Sequence, residues 1–299
     1  MADASWLTEF PAMDRRDLTA IKKTLDGAYR EFSRSYGDII ETFFDPLLYF
    51  LVWFEKLLIN TPWWLMIIIV TGIVHLSARS WKLSVGVVVA FSLIGYFGMW
   101  DNTMRTMSII FVCTLLSIVL GIPIGIAMAR SNRVQAVVTP ILDVMQTMPA
   151  FVYLIPVVML LGIGKIPGVI AVVIYAIPPV IRLTNLGIRL VDKEVLEAAT
   201  AYGANSSQRL WSVQMPLAMP TIMAGINQTI MMALAMVVVA SMIGVKGLGQ
   251  PVLKSITNQY FTLGLFNGLA IVALAIIFDR VSQAYAKRTQ KHMEGMHSD

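Results

Sequence analysis

Few side chains in this chain are placed to do chemistry, and most of them point away from catalysis. His75, His292 and His297 are too scattered to ligate a metal, and no Ser-His-Asp set or paired carboxylates can be discerned. Two glycine-rich stretches fail as nucleotide loops. Gly162-x-Gly164 lacks the third glycine of the dinucleotide spacing, and Gly244-x-x-Gly247-x-Gly249 is not followed by Lys-Ser/Thr. Both read as tight turns on the outer face. The sequence therefore predicts no catalytic residue, no metal site, no ATP site and no cofactor in this chain. What remains are amides and soft side chains inside apolar runs: Gln146, Met148 and Tyr153, then Asn227, Gln228, Met231, Met232 and Met236. Amides in such runs face protein or water rather than lipid. Cys113, the single cysteine, reads as a small packing residue.

These residues need elements to position them, and composition names the class. Of 299 residues, 57% are hydrophobic and 14% charged, and the mean hydropathy is +0.71. That is far from soluble averages and predicts an all-α polytopic membrane bundle. Runs free of Asp, Glu, Lys and Arg cover Leu57–Ala78, Leu83–Trp100, Thr106–Ala129, Val144–Gly164, Ile166–Ile181, Leu210–Val245 and Ser255–Phe278. Most reach the roughly 20 residues that cross a bilayer. The shortest extends to Leu190 if Arg182 and Arg189 snorkel. Seven spanning helices are expected in residues 61–285.

Basic residues in short loops favour the cytoplasm. Alternating the spans with residues 191–216 inside puts twelve basic residues on that side and four in the opposite loops. The long N-terminal segment then lies outside, where its ten acids outnumber its seven bases. The net charge of +5 comes with no basic face suited to nucleic acid. Residues 1–60 read as a polar tail without a secretory signal, followed by an amphipathic interfacial helix. That helix is broken by Pro46 and by Glu55-Lys56, and an eighth span there stays open. Residues 286–299 form a basic tail.

A polar island from Asp192 to Pro216 interrupts the apolar text. Asp192 and Glu194 suit the start of a short helix, and Gly203 suits a left-handed stop. Asn205 or Ser206 can cap a second helix, which is expected to end before Pro216. Two short helices at right angles follow. In the first, Val195, Ala198, Ala199 and Tyr202 share one side, where they can meet a partner.

Glu197-Ala198-Ala199, Gly203, Val213 and Met215-Pro216, at their spacing, resemble the EAA motif of bacterial ABC importer permeases. The resemblance runs from about Phe44 to Tyr285. Asp143–Pro156, Gly162–Gly168, Ile177–Gly187, Asn227–Ala233 and Ile243–Gln250 look like permeases for glycine betaine, proline betaine or choline. Trp6–Phe10 is similar to the choline-type subgroup. The resemblance implies a type I ABC importer permease fold in the bacterial inner membrane. It also implies a permease homodimer, two cytoplasmic ATPase subunits that bind ATP and Mg, and a separate external binding protein. Glu197, Ala198, Ala199, Tyr202, Gly203, Val213 and Pro216 then form the ATPase-coupling loop.

A quaternary amine needs a path of aromatic faces and polarizable sulfur. Gln146, Met148, Tyr153, Asn227, Gln228, Met231, Met232 and Met236 are the candidates. Pro149, Pro156, Pro178 and Pro179 remove backbone donors mid-span and mark bends that a gate can use. Two other classes compete: an ion-coupled secondary transporter, for which mid-span acids are missing from the sequence, and a non-transport scaffold.

Overall fold

The computed structural model describes residues 12–295, with side chains to residue 284. Trp6–Phe10 and His297 lie outside the described residues, as do the side chains of the basic tail. Backbone polar groups in hydrocarbon must pair internally, and the apolar runs do so as helices. In chain order these are α1 (Arg15–Asn60), α2 (Trp63–Ala78), α3 (Trp81–Tyr96), α4 (Trp100–Arg130), α5 (Asn132–Thr147), α6 (Ala150–Leu161), α7 (Lys165–Ala176), α8 (Pro178–Arg189), α9 (Lys193–Ala201), α10 (Ser206–Gln208), α11 (Met215–Ala240), α12 (Gly249–Asn258) and α13 (Phe261–Gly295).

Four unbroken stretches, two bent pairs and one shorter apolar helix stand where seven spans are expected. Four stretches are long and apolar enough to cross alone: Trp100–Arg130, Lys165–Arg189, Ser206–Ile243 and Phe261–Ala284. Two more appear if α1 with α2, bent by 108°, and α5 with α6, bent by 102°, each count as one. The 16 residues of α3 rise only about 24 Å. The first run was expected to begin at Leu57, but the helix stops at Asn60 because Thr61, before Pro62, is extended (φ −68°, ψ 130°). The Val144–Gly164 run breaks for the same reason at Met148, before Pro149. The last span starts at Phe261 rather than Ser255, because Gln259 turns left-handed (φ 57°) and closes α12.

The N-terminal segment also departs from expectation. α1 runs unbroken for 46 residues through both Pro46 and Glu55-Lys56. Glu55 is no breaker, since it is 5% exposed and fastens the helix to the bundle. Its carboxylate accepts from Arg105 Nη1 and Lys165 Nζ, each at 2.6 Å, which ties α1 to the starts of α4 and α7. Farther back, Tyr29 Oη donates to the Pro156 carbonyl, and Ser33 Oγ to that of Met159 at 3.1 Å. Leu18, Ile21, Leu25, Phe32, Tyr36, Ile39 and Phe43 are exposed and, with half-buried Tyr29 between Leu25 and Phe32, follow a three- and four-residue spacing, an amphipathic stripe.

One large core packs Phe91, Met104, Ile109, Cys113, Val172, Met236 and Leu248 among their neighbours. A smaller cluster of Ile188, Leu210, Met215, Ala218 and Ile222 lies below it. Helices α4 and α8 approach closely at Gly125, where an added Cβ would stand 2.6 Å from Thr184 Cβ and 2.8 Å from the Ile181 carbonyl oxygen. Small residues permit such contact where no hydrophobic force joins helices.

Candidate functional site

The polar island folds around its caps. Asp192 Oδ1 accepts from the Glu194 amide at 2.9 Å and starts α9. Gly203 ends the turn at φ +84°, and the Ala204 amide closes it on the Ala199 carbonyl at 3.0 Å. Asn205 then makes a capping box: its side chain accepts from the amides of Ser207 and Gln208, while Gln208 Oε1 accepts from the Asn205 amide at 2.9 Å. Asn205, not Ser206, is the cap.

The second short helix does not end before Pro216. From α10 the chain enters a π-helical turn, Arg209–Gln214, and continues as α11 without a break. Proline needs no donor at the first positions of a helix segment, and the widened turn supplies that start within a continuous rod. The expected pair of separate helices is therefore one short helix, α9, against the foot of a 38-residue run.

No residue of α9 is buried, and Tyr202 is 94% exposed. Glu197, Ala198 and Gly203 are exposed too, whereas Ala199 and Val213 are half-buried and Pro216 is open. Arg209 Nη1 donates to Thr200 Oγ1 at 3.1 Å and holds α9 to the rod. A helix so little used by its own chain, yet capped at both ends, presents a fixed face.

The path residues divide into two groups. Gln146, Met148 and Pro149 meet at the corner between α5 and α6, with Gln146 and Pro149 exposed and Met148 half-buried. Tyr153 is buried beside them, its hydroxyl donating to the Met145 carbonyl and its ring edge-on to Tyr175 at 5.9 Å. Asn227 turns elsewhere: its amide nitrogen donates to Asp279 Oδ1 at 3.0 Å, and its oxygen accepts from Ser282 on α13. Gln228 is exposed, Met231 and Met232 are half-buried, and Met236 is fully buried in the core. Pro156 lies exposed within α6, while Pro178 and Pro179 are buried at the start of α8.

Sequence reasoning missed three charged sites. Arg182 does not snorkel but pairs with Asp143 across α5 and α8. Arg189 bonds Asn185 Oδ1 at 3.0 Å and the Met128 carbonyl at 2.8 Å. Glu55 holds two cations. The available signal was that Arg105 and Lys165 are lone charges at ends of apolar runs and that Glu55, with Lys56 beside it, interrupts apolar text.

Residues 121–291 match the family described as the binding-protein-dependent transport system inner membrane component. The chain is 46% identical over 247 residues to the glycine betaine/proline betaine transport system permease protein ProW of Escherichia coli, covering 81% of this chain and 68% of that one. It is 47% identical over 231 residues to the glycine betaine/carnitine transport permease protein GbuB of Listeria monocytogenes, covering 77% and 82%. A choline permease of Bacillus subtilis is only 31% identical over 181 residues, which corrects the tilt toward the choline-type subgroup. The fold resembles the inward-facing MetNI methionine ABC transporter, with a TM-score of 0.58 at 17% identity, over 65% of this chain and 97% of that one.

Proposed function

The chain belongs to the binding-protein-dependent transport system inner-membrane components, and from that premise we propose that it is the permease through which an ATP-driven importer moves quaternary amines, glycine betaine and proline betaine foremost. The relatives' names support that substrate class, with choline more weakly supported. The observation that carries the coupling role is α9, a capped helix with no buried residue, set against the rod that begins at Ser206. Its exposed face of Glu197, Ala198, Tyr202 and Gly203, edged by Ala199, docks a cytoplasmic ATPase subunit that binds ATP and Mg. Val213 and Pro216 carry the motion into α11. Two copies of the chain and two ATPases assemble, and an external protein delivers the ligand. Gln146 and Met148 at the α5–α6 corner, with Gln228, Met231 and Met232 on α11, border the path; Pro149, Pro156, Pro178 and Pro179 shape its bends. α1 lies in the outer interface on its apolar stripe.

Proteoliposomes holding the permease, the ATPase and the binding protein are expected to accumulate glycine betaine only with ATP. Uptake by the permease alone, driven by an ion gradient, would replace this reading with a secondary transporter.

A further inference from the structure

Asp143 and Arg182 join α5, the first arm of a bent helix pair, to α8, the last part of the apolar stretch Lys165–Arg189. Asp143 stands eleven residues beyond Asn132, about 16 Å along its helix, and Arg182 seven before Arg189, about 10 Å. Charges beside such apolar text are costly against lipid and face protein or water. The pair is nevertheless open: the Asp143 side chain is 56% exposed and that of Arg182 36%. Bonding capacity is also left over. The contact engages one carboxylate oxygen, and Arg182 Nε is buried without an acceptor. Gln146, one turn beyond Asp143, shares its helix face and is exposed at the 102° corner.

We infer that Asp143 and Arg182 form a two-charge subsite that receives a zwitterion, the carboxylate taking its quaternary ammonium and the guanidinium its carboxylate. The inference rests on the importer reading above and adds which amines the path favours. A zwitterion that parts the pair replaces one ion pair with two, a hydrogen-bonded one at Arg182 and, because a quaternary ammonium has no N–H, a purely Coulombic one at Asp143. A simple cation parts it and leaves Arg182 without an anion, so it gains one contact at the loss of another. The path therefore discriminates betaines from choline independently of the external protein.

Saturation-transfer NMR on the permease–ATPase complex in nanodiscs, without binding protein, tests this with millimolar glycine betaine and choline as probes. The wild-type complex is expected to give at least a fivefold stronger methyl signal for glycine betaine. Arg182→Gln lowers that signal at least fivefold and leaves the choline signal undiminished, Asp143→Asn lowers both, and the exchanged variant D143R/R182D recovers at least a third of the glycine betaine signal. Arg182→Lys, which keeps the charge and loses the fork, substitutes if Arg182→Gln does not assemble, with a loss of at least twofold expected. Equal signals for the two probes, no signal for either, or an unchanged glycine betaine signal in the Arg182 variant overturns the subsite. Uptake by the complete wild-type transporter separates the two readings. Uptake with an unaffected Arg182 variant removes the subsite alone, and no uptake of any quaternary amine removes both.

Discussion

At Gly203 the backbone adopts φ +84°, a conformation that costs other residues about 1 kcal/mol or more. Gly203→Asp adds that strain and places a charge on the proposed docking face. It is expected to lower ATP-driven uptake at least tenfold and weaken co-purification with the ATPase, while membrane insertion survives; normal co-purification counts against docking at α9. Glu55 has a different role, since its carboxylate is the only anion bonded to Arg105 and Lys165 among the described residues. Glu55→Ala is expected to destabilise the folded permease by about 2 kcal/mol, less than the loss from a fully buried pair because the cations are 28% and 24% exposed. A lowered thermal unfolding midpoint in detergent is the readout. The island was legible because caps are local: Asp192, Gly203 and Asn205 act on amides within a few residues. Glu55 and Asp143 were not legible, because their partners lie far along the chain and only the fold brings them together.

Among the elements, prolines show why local text under-determines a helix. Pro62 and Pro149 end helices because the residue before each is extended, but Pro46 and Pro216 are passed through. The missing amide costs a helical bond only at Pro46, inside α1, because Pro62, Pro149 and Pro216 stand where a helix segment starts and its first amides have no intrahelical partner. Ala at Pro149 is expected to reduce uptake at least fivefold in a transporter that still assembles, by relaxing the α5–α6 corner. Unchanged uptake would remove the bend from the gating argument. Close approach was likewise hidden in the sequence, where Gly125 looks like any glycine of an apolar run. Gly125→Leu is expected to drive α4 from α8 and abolish a monodisperse peak on size exclusion, given the 2.6 Å space beside Thr184.

For the whole molecule, the hydropathy pattern located nearly all of the apolar helical text but not its bends, because continuity of apolar residues does not report direction. Two expected spans are bent by more than 100°, and the interfacial helix extends far beyond its expected limits. The proposed two-fold assembly gives each transporter two α9 faces. A tandem of wild-type and Gly203→Asp copies is therefore expected to retain no more than half of the wild-type uptake, measured at equal expression. Within each copy, the run from Ser206 to Ile243 spans 38 residues, about 57 Å. Its foot is the π turn beside α9, and its far end meets the Gly244–Gly249 turns. Under the proposed coupling it is a lever whose fulcrum is the close packing of α11 on α8, where Gly187 meets Ala218 and Thr221 and Gly225 meets Leu183. About that fulcrum, near the middle of the run, a tilt of about 5° moves each end by about 2.5 Å in opposite directions, so a small stroke delivered on one side of the bilayer arrives on the opposite side with its size kept and its sense reversed.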